Sequence, residues 1–247
     1  VLYGHCEENK DSFRVLPSPQ TQIAMEYFGK TNQLAIKTQQ TLGGVMSQIA
    51  KAPNVKTITK FSSELTQIKN HIQSTEQCLI NEVLGMCKSI DPNYTDWHLF
   101  VGDKRKRTAY LNFCRSQSFK DQTACAMLVA VNMQLTQQGL LPNSPAVTPQ
   151  MINTFVSSYQ VALSLREFFF SQFLNPGFDL STKSRANFLW DEQILYFVGK
   201  QVGNEDLILL TSDNKMCDAA QNCGVRDKVM KYDEYIAVNR HQVRYTK

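Results

Sequence analysis

The chain has 247 residues, which is enough to bury a sizeable core in one large domain or two small ones. Its 26 basic and 22 acidic residues give a net charge of +4, a mild excess that is compatible with nucleic-acid binding without indicating it. No apolar run approaches the ~18 residues that a membrane span requires, so we expect no membrane span.

The first third of the sequence has the patterns of helices. We predict an irregular lead-in over residues 1–20, followed by helix over residues 21–50 with interruptions at Gly29 and at Gly43-Gly44. From residue 58 to residue 86 apolar side chains recur at helical spacing, which predicts one long amphipathic helix of about eight turns. This helix suits packing within one bundle, and its apolar seam would also suit protein partners of the N-terminal helical region.

Seven cysteines leave the redox compartment of the protein open. An odd number implies at least one free thiol, which is ordinary in a reducing cytosol. Four cysteines fall on predicted helices, and an antiparallel helical hairpin would bring Cys78 to Cys125. The same hairpin would bring Cys87 to Cys114, so two nested disulfides are one prediction. The alternative is four buried free thiols that pack as small apolar side chains.

A basic run near the middle of the chain is a candidate nucleic-acid contact. Residues 98–103 suggest a short strand that ends in the carboxylate of Asp103. The run Lys104-Arg105-Lys106-Arg107 follows immediately and could contact the phosphates of RNA. A solvated turn with no partner explains the same four charges.

Two more helices are predicted before residue 175. Residues 124–138 form a strongly apolar helical segment that ends at Gly139. Thr148-Pro149 then supplies a helix cap and a first-turn proline, and the following apolar spacing predicts a helix as far as Phe170.

The segment over residues 206–225 has the residue order of an α/β unit. Residues 207–210 form a continuous apolar run, which is typical of a buried parallel strand. Thr211-Ser212-Asp213 follows at the predicted carboxyl end of the strand, where open α/β folds hold their ligands. Residues 214–222 predict a short helix, with Gly224 just beyond its end.

Two carboxylates are expected to converge in this region. Apolar residues spaced along one helical face follow Asp191, and the predicted helix ends at Gly203. If that helix packs back along the strand, Asp191 approaches Asp213, and the two carboxylates could hold a divalent cation through hard oxygen ligands. In the alternative interpretation Asp191 only begins a helix and Asp213 only forms a turn.

The pattern from Asp191 through Thr211-Ser212-Asp213 to Gly224-Val225 resembles the last α/β units of PIN-like and NYN-type metal-dependent ribonucleases. In that superfamily an acidic residue opens the penultimate helix, and a Thr-x-Asp at the next strand's end completes a carboxylate cluster that binds magnesium or manganese. The resemblance therefore implies catalytic and metal-binding roles for Asp191 and Asp213. Asp103 is the best stand-in for the family's first acidic residue, whose usual Asp-Gly-x-Asn or Asp-Thr-x motif is absent. Thr154 occupies a position where the family usually carries a glutamate.

The predicted fold is α/β, with an N-terminal helical region over residues 21–92 and a PIN-like, Rossmannoid parallel-sheet region over residues 95–247. The predicted function is a cytoplasmic PIN-like metal-dependent ribonuclease, or a catalytically degenerate relative, in which Mg²⁺ or Mn²⁺ activates water. The contrasting hypothesis is an exported, disulfide-containing helical scaffold, periplasmic or secreted, such as a component of a bacterial envelope or secretion assembly. Its support is the Gln/Thr-rich helices, the paired cysteines and a start at Val1 that a removed secretory leader would explain.

Overall fold

The structure is a computed structural model that describes residues 18–31, 33–174, 194–202, 205–235 and 237. The helices, in chain order, are α1 (Pro19–Phe28), α2 (Gln33–Lys51), α3 (Val55–Lys60), α4 (Ser62–Ile90), α5 (Trp97–Gly102), α6 (Lys104–Cys114), α7 (Gln117–Gln137), α8 (Pro149–Ser158), α9 (Gln160–Gln172) and α10 (Asn214–Asn222). The strands are β1 (Gln201–Val202), β2 (Glu205–Asp206), β3 (Leu209–Leu210) and β4 (Val229–Met230). The chain divides into two compact units, Val1–Ser62 with Met127–Ala146, and Ser63–Ala126 with Val147–Lys247.

The first unit contains α1, α2, α3 and the second half of α7. The Ser18 hydroxyl accepts a hydrogen bond from the backbone N–H of Thr21 at 3.2 Å and so caps the start of α1. Gly29, with φ of 59°, ends α1, which confirms the predicted interruption there. The second predicted interruption is wrong, because α2 continues through Gly43-Gly44. A glycine costs a helix interior only about 1 kcal/mol, which the rest of a 19-residue helix can offset.

The second unit is built around an aromatic core. The core residues come from α4, α5, α6, the first half of α7 and the end of α9, and all are buried: Val83, Cys87, Phe100, Val101, Tyr110, Cys114, Phe119, Phe170, Phe173 and Leu174. The ring of Phe170 lies at a centroid distance of 5.3 Å from the rings of both Phe119 and Phe173. Such tilted and edge-on contacts stabilise aromatic pairs beyond the apolar area that they bury.

Residues 98–102 are helical rather than extended. Asp96 caps α5, since its carboxylate accepts a hydrogen bond from the N–H of His98 at 2.8 Å. Phe100 and Val101 are buried while Leu99 is 68% exposed, which is not the alternation that a half-buried strand produces. The predicted strand before Asp103 is therefore wrong.

Two predicted helices are each observed in two pieces. The long helix expected over residues 58–86 is divided between α3 and α4, with the division at Phe61. The helix expected from Thr148 to Phe170 is divided at Tyr159 into α8 and α9. Its predicted start is confirmed, because the Thr148 hydroxyl accepts from the N–H of Met151 at 3.2 Å and Pro149 opens the helix.

The predicted PIN-like α/β fold class is wrong. The described part of the chain is mostly helical, and its strands form two two-stranded sheets. β1 and β2 are antiparallel, whereas β3 and β4 are parallel, with Leu209 opposite Val229. The strand expected over residues 207–210 is thus reduced to two residues, and Leu210 is 38% exposed. A parallel sheet of the Rossmannoid kind is covered on both faces, and this pair is not.

The helix predicted to end at Gly203 is wrong over residues 196–202, because residues 196–199 form turns and Gln201–Val202 is β1. The segment that follows β3 agrees with its prediction. α10 connects β3 to β4, so a short helix forms the crossover between two parallel strands. Gly224 follows α10 with φ of 70°, and the N–H of Val225 donates to the carbonyl of Ala220 at 2.9 Å. This left-handed glycine confirms the predicted helix end.

None of the helices in the described ranges combines the length and the apolar composition that crossing a bilayer demands.

Candidate functional site

Two of the three carboxylates that the sequence suggested for catalysis or metal binding, Asp103 and Asp213, serve as helix caps. Asp103 precedes α6, and its Oδ1 accepts hydrogen bonds from the N–H groups of Arg105 at 2.8 Å and Lys106 at 3.3 Å. These bonds, the one from Lys106 foremost, hold the pKa of the Asp103 carboxyl below its ordinary value. Asp213 precedes α10 and accepts from the N–H of Lys215 at 2.7 Å. Both side chains therefore satisfy backbone donors that a helix start would otherwise leave open.

The third predicted ligand, Asp191, lies outside the described residues. Within the ranges that the structure describes, no group of three or more His, Cys, Asp or Glu side chains is placed to hold a metal ion. Thr211 also has a local role, because its hydroxyl accepts a hydrogen bond from the N–H of Asp213 at 3.1 Å. The Thr-Ser-Asp sequence thus forms a turn that leads into a helix. Catalysis and metal binding by the three aspartates stay predictions.

The basic run occupies the first turn of α6, and its members differ in their surroundings. The Nζ of Lys106 lies 2.6 Å from Asp91 Oδ2 and ties α6 to the end of α4. This hydrogen bond lowers the pKa of the Asp91 carboxyl and raises that of the Lys106 amine. Arg107 donates to the carbonyl of Val101 at 2.7 Å. Lys106 and Arg107 therefore help to hold α6 against the preceding elements, while Lys104 and Arg105 are exposed.

The exposed side of α6 extends the positive charge beyond this run. Five exposed polar or basic residues fall within about 100° of one another on the helix at 100° per residue, and we call them the basic face: Lys104, Arg105, Thr108, Asn112 and Arg115. From Arg105 to Arg115 the face is about 15 Å long at the usual helical rise. The segment over residues 104–120 carries six basic residues and no acidic one. The sequence pattern identified the run over 104–107, but Arg115 was missed because its place on the face depends on where α6 ends.

A second polar cluster lies beside the aromatic core of the second unit. Arg166 on α9 donates through Nη2 to Glu82 Oε1 on α4 at 2.6 Å. The guanidinium carbon lies 4.4 Å from the ring centroid of Phe170, in a cation–π contact. Burial is the main cause that raises the pKa of the Tyr110 phenol and of the Tyr196 phenol, and the Tyr196 hydroxyl has no hydrogen-bond partner within the described part of the chain. The ion pair joins α4 to α9, and sequence reasoning missed it because 84 residues separate Glu82 from Arg166.

The candidate disulfide cysteines are free thiols in contrasting environments. Cys78 is exposed and Cys125 is half-buried, whereas Cys87 and Cys114 have no exposed surface. Burial is the main cause that raises the pKa of the Cys87 thiol to about 12. It likewise raises the pKa of the Cys114 thiol to about 12. Such thiols contain very little thiolate at neutral pH and are chemically inert in the folded protein.

The basic face is therefore the exposed candidate site, whereas the polar cluster around Arg166 has a structural role. Comparison of the chain with protein-family models, with curated proteins and with solved structures gave no match.

Proposed function

We propose that this protein binds single-stranded RNA through the basic face of α6. The observation that supports this function most directly is the exposed array of Lys104, Arg105 and Arg115 on one side of a helix, within a segment that has no acidic residue. Lysine and arginine side chains bind the phosphates of nucleic acids and release the counterions that surround them.

The position of the charges favours a ligand that supplies negative charge. The amino end of a helix carries a partial positive charge, so cations in its first turn are unfavourable by a few tenths of a kcal/mol to about 1 kcal/mol. Contacts within the fold offset this cost for Lys106 and Arg107. For the exposed Lys104 and Arg105 a bound phosphate would offset it.

The polar members of the face suit a flexible strand better than a duplex. Thr108 and Asn112 lie between the cations and can hydrogen-bond to sugars, phosphates or base edges. The deep, narrow major groove of an RNA duplex does not admit side chains for reading bases. A single strand can adapt its phosphates to a face about 15 Å long.

Fluorescence anisotropy with a labelled 20-nucleotide single-stranded RNA between 50 and 200 mM salt tests the proposal. Three phosphate contacts predict a slope of log Kobs against log salt of about −2, since each contact on a single strand contributes about −0.7. Replacing Arg105 and Arg115 together by glutamine should reduce the slope to about −0.7, whereas replacing both by lysine should preserve most of it.

Lys88→Gln is the control, because Lys88 is an exposed cation on α4 and is not a member of the basic face. It removes one charge from the protein and should leave the slope unchanged. An unchanged slope in the Arg105→Gln/Arg115→Gln variant would show that α6 is not the binding surface. Equal decreases of the slope in that variant and in Lys88→Gln would show the same.

The exported, disulfide-containing scaffold is the second candidate function. The observation that favours it is the presence of Cys87 and Cys114 in one core, as one of the two predicted disulfides would require. Intact mass after alkylation without reductant tests it in protein isolated from its source: crosslinked cysteines support export, and seven alkylated thiols contradict it.

A further inference from the structure

Two cysteines from different helices lie together in the core of the second unit. Cys87 belongs to α4 and Cys114 is the last residue of α6; both are members of the same buried cluster, and neither has any exposed surface. Tyr110 belongs to the same cluster and lies one helical turn before Cys114 on α6. Burial first, and then charges on the two sulfurs, raise the pKa of its phenol. A charge on Cys114 also raises the pKa of Cys87. Three groups that belong to one buried cluster share a small volume.

We propose that Cys87 and Cys114 form a dithiol that is oxidised to a disulfide only while the chain folds. After folding, the two sulfurs retain the redox state that they acquired in the compartment where folding occurred. This inference does not rest on the proposed binding of RNA. It applies to the reduced protein of a reducing compartment and to the crosslinked protein of an oxidising one.

The oxidant is a low-molecular-weight disulfide such as oxidised glutathione. In the unfolded chain the Cys87 thiolate attacks one sulfur of the oxidant, forms a mixed disulfide and releases one glutathione thiolate. The Cys114 thiolate then attacks the Cys87 sulfur, forms the intramolecular bond and releases the second glutathione. Two protein thiols lose two electrons and two protons, and one glutathione disulfide is reduced to two thiols.

Folding stops this exchange in both directions. An unfolded cysteine has a pKa of about 8.5, so roughly a quarter of its thiol is ionised at pH 8. With the pKa of both thiols raised to about 12, the ionised fraction at pH 8 falls by more than about 1,000-fold. Complete burial also excludes glutathione from the sulfurs of either redox form.

The first experiment is oxidative refolding of the full chain. The protein is unfolded in guanidinium with reductant, refolded by dilution into mixed reduced and oxidised glutathione at pH 8, alkylated and digested with trypsin without reduction. We expect a crosslink between peptides 70–88 and 108–115, which carry Cys87 and Cys114. A protein refolded with reductant and only then exposed to the same glutathione mixture should lack this crosslink.

Two variants identify the sulfur on α4, because peptide 70–88 also contains Cys78. Cys78→Ala should retain the crosslink to peptide 108–115, and Cys87→Ala should abolish it. Alkylation of the folded, reduced wild type by iodoacetamide at pH 8 gives a second readout that needs no variant: Cys87 and Cys114 should react at least about 100-fold more slowly than in the unfolded chain.

Four outcomes would overturn the proposal. The crosslink could be absent after oxidative refolding, it could persist in Cys87→Ala through Cys78, or it could form equally fast in the prefolded protein. A crosslink of peptide 70–88 to peptide 121–166, which carries Cys125, without one to peptide 108–115 would also contradict it, since the partner would then be Cys125. Oxidised wild type that melts about 5–15 °C above its reduced form, with no such shift in Cys87→Ala, would support it.

Discussion

Arg166 and Glu82 form an ion pair whose two partners are unequally buried. The guanidinium and the carboxylate are 2.6 Å apart, yet the Arg166 side chain is 9% exposed and the Glu82 side chain is 42% exposed. The cation therefore depends on its partner to offset the loss of water, whereas the carboxylate can be hydrated without the arginine. This asymmetry predicts which half of the pair is more costly to remove.

Glu82→Gln should destabilise the protein more than Arg166→Met does. The glutamine leaves a buried guanidinium without its carboxylate and should lower the free energy of unfolding by about 2 kcal/mol. Methionine removes the buried charge itself and loses the cation–π contact with Phe170, for a cost of about 1 kcal/mol. Urea unfolding at pH 7 measures both values, and the double variant should be more stable than Glu82→Gln alone. A larger loss for Arg166→Met would mean that packing of the arginine outweighs its charge.

Sequence reasoning succeeded where a signal is contained in a few neighbouring residues. Thr148-Pro149 specifies a helix start because the hydroxyl and the fixed φ of proline act within one turn. Gly224 specifies a helix end because an L side chain rarely adopts its left-handed backbone.

The same reasoning failed where distant residues decide the outcome. A four-residue apolar run such as 207–210 has the same pattern in the centre of a large sheet and in an isolated two-residue pair. Only the number of neighbouring strands distinguishes the two, and no short segment encodes that number. Asp103 and Asp213 follow the same principle, because a carboxylate before a helix can be a cap or a ligand, and the local sequence of a cap is complete without a second carboxylate.

Stability should decrease between pH 8 and pH 9.5 in the presence of reductant. Both core thiols have folded pKa values raised to about 12, so their contribution is fully present below the unfolded value of about 8.5 and is lost as the pH rises toward 12. Two such groups predict a loss of roughly 2 kcal/mol over this interval, before tyrosines begin to ionise near pH 10. Urea midpoints at closely spaced pH values measure the loss, and Cys87→Ala/Cys114→Ala should show a much shallower dependence. An equally steep dependence in that variant would assign the effect to other groups.

Gly199→Ala should be more destabilising than Gly224→Ala, although both glycines have a positive φ, of 76° and 70°. Each substitution carries the left-handed backbone strain of about 1 kcal/mol. At Gly199 the new Cβ would also lie 2.9 Å from Val161 Cγ2, whereas at Gly224 nothing lies within 4 Å. The overlap with a stiff β-branched side chain should bring the total at Gly199 to about 2–3 kcal/mol. Val161→Ala should restore part of the stability of Gly199→Ala, and urea unfolding that ranks the two alanines equally would contradict the close approach.

The last prediction separates a capping role from a metal-binding role at Asp213. As the cap of α10, Asp213 accepts a hydrogen bond from Lys215 N–H, and asparagine can accept the same bond, so Asp213→Asn should change the free energy of unfolding by only a few tenths of a kcal/mol. Asp213→Ala removes the acceptor and should cost about 1 kcal/mol. Melting curves with and without millimolar manganese complete the comparison: a capping role predicts the same response to the metal in the wild type and in Asp213→Asn. A manganese-dependent rise of the melting temperature in the wild type that Asp213→Asn abolishes would instead assign a bound cation to this carboxylate, because a ligand that binds only the folded state stabilises it.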